Sequence, residues 1–440
     1  MRSRLIAGVA PLLSALGPHA GAQQTLPPVH PLGPVTISAE PMGNVASIRA
    51  LSDGRVLVLD VGMHCVVLFD AALRHAVVVA DTTSATGNAY GTGSGGGLTG
   101  MIAFSGDSTL IRDQATGAFL VISPAGTLAR IIPKPPTAPP QLNGGPFVIG
   151  ELSTVGFDQA GHLVQRQQKT FTFFPGPSEF RGDTVIEAPD STAVLRTSLA
   201  TGRLDTIAML QAPRTGIFFV RRDNGRGGAS GQQKPVVNPI PSGDDWALLN
   251  DGTIAVIRVR DYHVDWISPD GHMTSGPKVA AQWEHITEAM KVALIDSLKR
   301  RDSAQAAARN AAMTPAMRDA MAKDSAARAD AAMAAGLVAV ATPIGQLPPR
   351  YVDPSDLPDN RPPFMTGFAL GDAEGNVWVR EREPAPFNGG IIYDVINRAG
   401  TLAERVEIPP SATLVGFGPG VAYLVSRVSG AVHLGKASIH

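Results

Sequence analysis

The chain has 440 residues, with 37 Lys and Arg against 38 Asp and Glu, a near-neutral balance that argues against nucleic acid or anionic lipid as main partner. Its single cysteine excludes an internal disulfide and a cysteine-bound zinc. The 47 Gly and 36 Pro demand many turns, which suits an all-β chain of short strands, long enough to bury a core without covalent staples.

The N-terminus reads MRSRLIAGVAPLLSALGPHAGAQQ. Arg2 and Arg4 precede a mostly apolar run, Leu5 to Leu16, that is too short to span a bilayer, and Ala20-Gly21-Ala22 is a small-residue cleavage site. Residues 1–22 therefore read as a secretory signal with Gln23 as the mature start, and no cysteine follows for lipid attachment. The expectation is export to the periplasm or beyond, with no integral membrane segment later in the chain.

Next comes GPVTIS (Gly33 to Ser38), a short strand pattern with no neighbour of its own. Then a repeating unit begins. DGRVLVLDVGMHCVVLFDAAL from Asp53 aligns without a gap on DGTIAVIRVRDYHVDWISPDG from Asp251. Each reads as an Asp-Gly turn, an apolar strand, a polar corner, a second strand and another turn. Related units run from Gly106 to Thr127, from Asp158 to Arg166 resuming at Ser191 to Ile207, from Asp372 to Glu381 resuming at Ile391 to Ile408, and from Gly418 to Ile439. A short apolar run precedes each as its innermost strand: Ile48–Leu51, Met101–Phe104, Val155–Phe157, Trp246–Leu249, Phe368–Leu370 and Val415–Phe417.

Six such units predict an all-β fold, a six-bladed β-propeller over residues 23–440. The last unit is short of a strand, so Val35 to Ser38 is expected to pair into it and close the ring. Two inserts interrupt the period. Val220 to Gly243 is basic, then rich in Gly and Pro, and reads as a mobile surface loop. His285 to Gly336, within an insertion over 282–345, has Ile286, Met290, Ala293, Leu294 and Leu298 at helical spacing and a Thr314-Pro315 cap. It reads as an α-helical hairpin between blades four and five, either laid on its own domain or meeting a protein partner.

The units, with the Gly-rich link Gly87 to Gly100 before the second, resemble those of exported six-bladed β-propellers of the NHL-repeat and TolB-like kind. The resemblance implies the fold over nearly the whole chain and leaves the activity open, because its motifs build blades. The link has no acid and lacks the Gly-Pro-Gly-Glu-Phe-like turn that such propellers often carry there.

Motifs for chemistry are few. Gly91, Gly93 and Gly96 fit a Gly-x-Gly-x-x-Gly spacing, but no helix pattern follows, so a nucleotide site is set aside. No Gly-x-Ser-x-Gly, His-Glu-x-x-His or phosphate-loop motif occurs. Asp261, His263 and Asp265 have metal-ligand types two apart, but their repeat counterparts are Met63, Cys65 and Val67. The trio reads first as a hairpin corner, with metal binding as the alternative. The inner strands hold no Asp, Glu or His, unlike the channel of lactonase-type propellers, so no cofactor or metal is expected.

One pattern suits a ligand. The second strand of five units ends in a charge: Asp60, Asp113, Arg166, Arg258 and Arg380. Five charges around a channel mouth would hold an anionic or polar ligand, with Arg as the fork, unless they pair with one another to keep register. The function expected is binding or scaffolding of a protein or small polar ligand at one face; the alternative is a lactonase-like hydrolase or lyase with a loop-built site.

Overall fold

The computed structural model describes residues 26–81, 98–113, 118–132, 156–158, 160–167, 184–198, 201–223, 229–317, 319–320, 323–324, 327, 349–383 and 389–439. Two short strands come first, β1 (Val29–Pro31) and β2 (Thr36–Ile37). Sheet formation then follows the Asp-Gly spacing. At both Asp53-Gly54 and Asp251-Gly252 the turn closes on the same bonds: Gly54 N–H to Leu51 O at 3.0 Å, and Gly252 N–H to Leu249 O at 2.9 Å. The glycines sit at φ 85° and 83°, a left-handed backbone that a side chain resists, and the Asp carboxylates cap the turns.

Among the described residues, six antiparallel four-stranded meanders arise in chain order. The first runs through Val45–Ala50, Val56–Asp60, Cys65–Phe69 and Ala76–Asp81, and the second through Leu98–Ala103, Thr109–Asp113, Phe119–Ile122 and Leu128–Ile132. The third joins Gly156–Phe157, His162–Arg166, Ser191–Ser198 and Leu204–Gln211; the fourth joins Asp245–Leu248, Ile254–Arg258, His263–Ile267 and Met273–Ser275. The fifth holds Leu370–Gly371, Val377–Arg380, Ile391–Ile396 and Leu402–Ile408, with β1 added in parallel on its edge. The sixth holds Ala412–Gly418, Val421–Val428 and Ala431–Ser438, and its fourth strand is β2. The expected pairing of Val35 to Ser38 into the last sheet is present at two of its residues, with Thr36 opposite Lys436 and Ile37 opposite Gly435.

The second strands are apolar on both faces because each face meets a different sheet. Val56 and Val58 pack on Tyr423 and Leu434 of the sixth sheet, while Leu57 and Leu59 pack on Met101 and Ile111 of the second. Leu110 and Val121 meet Leu163, and Val164 meets Trp246 and Ile254. Ala255 and Ile257 meet Val377 and Val379, and Trp378 meets Leu414 and Leu424. Each sheet therefore shares a buried layer with the next, and the sixth shares one with the first. Neighbouring sheets approach closely: a Cβ on Gly156 would lie 2.4 Å from Leu248 Cδ2, so that side chain would have to move.

The segment read as a mobile loop, Val220 to Gly243, needs correction. It contributes to paired strands Gly216–Asp223 and Ala229–Val237, in a separate sheet with Thr184–Glu187 and Arg350–Tyr351. Backbone pairing holds this hairpin, so it carries no apolar alternation to be read. Helix α1 (Glu288–Ala312) lies between the fourth and fifth sheets in the chain, capped by Thr287 accepting from Met290 N–H. Ile286 and Ile295 pack on Ile240, Tyr351 and Leu357. Met290, expected in the apolar stripe, is exposed; Lys291 is buried instead, its ammonium 2.7 Å from both Glu288 and Asp359. The Thr314 cap accepts from Met317 N–H, and most of the second expected helix lies outside the described residues.

The two ends of the sheet array differ. Turns between first and second strands (residues 51–55 and 249–253) and between third and fourth (70–75 and 268–272) are short and leave from one end. From the opposite end leave the longer excursions: those after Arg166, before Asp245 and through α1.

Candidate functional site

At the excursion-bearing end the fourth sheet carries a connected row of polar side chains. Its second and third strands pair Arg258 with His263, and the chain reverses through Tyr262, a left-handed residue at φ 51°. The repeat counterpart His64 has φ 52°, so Asp-x-His-x-Asp does sit at a hairpin corner. The corner nevertheless draws its three residues into one row. His263 Nδ1 lies 2.6 Å from Asp261 Oδ1, and Nε2 lies 3.2 Å from Asp265 Oδ1.

Arg258 extends the row. Its Nε donates to Asp265 Oδ2 at 2.6 Å, and its Nη1 to Asp244 Oδ2 at 2.9 Å and to the Met209 carbonyl at 2.8 Å. Ser275 donates to Asp265 at 2.5 Å, and Lys278 Nζ stands 3.9 Å from Asp261. Burial works against ionising Asp265, but Ser275 and Arg258 hold its carboxyl below the usual range. Asp261, His263 and Lys278 form the accessible edge of this row, Lys278 most of all. Among the described residues no group of three or more His, Cys, Asp or Glu is arranged to hold a metal ion. The row is suited to contact a polar surface of mixed charge.

A second cluster lies beside it, in the seam between the fourth and fifth sheets. Tyr262 donates to Asp394 Oδ2 at 2.6 Å, and Arg405 forks onto Glu381 at 2.6 and 2.9 Å. Burial first, and Glu381 second, push the Asp394 carboxyl well above the usual range. Asp245, also buried, accepts from the Gly367, Phe368 and Ala369 amides and so ties the inner strands of the two sheets. Desolvation pushes its carboxyl up.

Three of the five strand-end charges, Asp60, Arg258 and Arg380, take partners outside the set. Asp60 accepts from Gly43, Asn44, Gly62 and Met63, fastening its own sheet's first strand to the corner. Arg380 pairs with Glu383 at 2.6 Å and covers the Phe368 ring at 4.8 Å. Asp113 and Arg166 are buried. Arg258 alone joins the row around His263. Asp244, Ser275, Lys278 and the Tyr262–Asp394 seam escape sequence reading; the Asp244-Asp245 doublet before an apolar strand is the one local hint.

No family model matches the sequence, and no curated protein does. Solved structures that match include a catalytically inactive virginiamycin B lyase from Staphylococcus aureus with quinupristin, at 9% identity over 92% of this chain and 99% of that one, TM-score 0.38. Regucalcin, a calcium-binding protein from Agrobacterium tumefaciens, matches at 10% identity over 94% and 98%, TM-score 0.39. A gluconolactonase from Xanthomonas campestris matches at 9% over 93% and 99%, TM-score 0.36. Likeness at this level carries no function to the present chain.

Proposed function

We propose that the chain is an exported six-bladed β-propeller, with a helical insertion between blades four and five, that binds a ligand or protein partner at the excursion-bearing end. The observation that carries the reading is the contrast between the ends: short turns at one, and at the other the accessory sheet, α1 and the row from Lys278 to Asp244. Loops displayed from a rigid scaffold are where binding residues concentrate. Six buried layers joining successive sheets, and the sixth to the first, support the blade number.

The test compares two charge variants of the mature protein. Asp261→Lys with Lys278→Glu alters the excursion-bearing end; Asp251→Ala with Arg398→Ala alters the other. Material retained from the exported fraction should be lost with the first pair and kept with the second. The opposite pattern sinks the assignment of the end.

A hydrolase or lyase is the second reading, favoured by a half-buried His263 held between two carboxylates, Asp261 at Nδ1 and Asp265 at Nε2, an arrangement that orients an imidazole for proton transfer. Stoichiometric metal in the purified protein would favour this reading over the binding module.

A further inference from the structure

We propose a separate site for a small carboxylate- or phosphate-bearing anion where the two ends of the chain meet. A cleft of about 310 Å³ opens there, walled by Pro34 and Thr36, by the turn Ala71–Arg74 of the first sheet, and by Val421 and Lys436–Ser438 of the sixth. It lies at the short-turn end, away from the His263 row, and stands independently of the function proposed above.

The chemistry of the walls is one-sided. Arg74 and Lys436 face the cleft from different sheets, Thr36 and Ser438 add hydroxyls, and no carboxylate lines it. Among the described residues neither cation has an ion-pair partner; Lys436 donates to the Ala71 carbonyl at 3.2 Å. The nearby acid is turned to other work, since Asp70 accepts from the Ala72 and Arg74 amides at 3.1 and 2.8 Å. The turn that carries Arg74 is held in shape. Leu73 is buried in a left-handed conformation at φ 57°, and its carbonyl accepts from Ala39 N–H at 3.0 Å. A guanidinium and an ammonium lining one recess, with hydroxyl donors beside them, match an oxyanion.

The position adds a consequence. The walls come from the N-terminal segment, the first sheet and the sixth, which are the pieces that close the array. A ligand that requires all three stabilises the closed state by mass action.

Thermal unfolding of the mature full-length chain tests this, with inorganic phosphate or citrate titrated against sodium chloride at matched ionic strength. The midpoint should rise saturably with at least one of the two anions beyond the chloride control; which one acts assigns a phosphoryl or a carboxylate ligand. Arg74→Gln with Lys436→Gln should weaken the response about tenfold or more, and Arg74→Lys should retain part of it. Arg427→Gln, an exposed cation of the sixth sheet outside the cleft, should leave it intact. No rise beyond chloride in the unaltered protein overturns the proposal. So does a rise that survives the double substitution, because salt exclusion from the surface acts on both proteins alike.

Discussion

The Tyr262 hydroxyl reaches across the seam between the fourth and fifth sheets and donates to Asp394 Oδ2 at 2.6 Å. Tyr262 is fully buried and left-handed, so the fold keeps a backbone that side chains disfavour in order to place this ring. Tyr262→Phe keeps the ring and removes the donor, leaving a buried carboxyl oxygen short of a partner. The expected loss is about 1–3 kcal/mol, measured by urea unfolding. An unchanged midpoint would mean that the bond contributes nothing.

Asp394 should give stability a pH dependence of definite sign. Its carboxyl is raised in the fold, by burial and then by Glu381, above its unfolded value. The native state therefore keeps a proton that the unfolded chain loses, and stability falls as pH rises from the ordinary carboxylate range towards the raised value. Asp251 and Asp265, held low, act in the opposite sense and lose their contribution as pH falls below that range. Between about pH 5 and about pH 8, Asp394→Asn should flatten the downward slope of the urea midpoint. A slope that stays the same would place the proton elsewhere.

Removal of residues 23–38 should open the array at the sixth sheet. The strand Ala431–Ser438 would lose its partner β2, and the half-buried Leu32 and Val35 would leave the layer that holds Trp378 and Leu424. A loss of about 2–4 kcal/mol is expected, with aggregation through the exposed edge. Light scattering and unfolding midpoints of the truncated and full mature chains decide it.

Cys65 should be a poor nucleophile. Burial first, then Asp60 and Asp81, push its thiol up to about 11, so little thiolate exists near neutral pH. Reaction with an aromatic disulfide reagent should run roughly a hundredfold slower than with a free thiol, then speed up in urea. Fast labelling of the folded protein would contradict this environment.

Much of the fold was legible because its signals are local. An Asp-Gly pair needs only its own residues to form a left-handed turn, and the strand between two turns declares itself by apolar runs. The repeat alignment held even at His64 and Tyr262, whose backbones match although one side chain is exposed and the other buried. The hairpin Gly216–Val237 was missed because backbone bonds, which any sequence offers, hold its strands together. The charges were harder still. Asp60 and Arg258 occupy one repeat position, yet Asp60 spends itself on four amides and Arg258 bridges Asp265 and Asp244. A charge takes whatever partner the packing of distant strands brings near, and no local pattern encodes that choice. Strands, turns and their period are thus local properties, each a matter of a few adjacent residues. Packing between sheets sets which end bears the excursions, that Asp394 meets Tyr262 132 positions away, and that Arg74 and Lys436 share a cleft, because those contacts depend on register between distant strands.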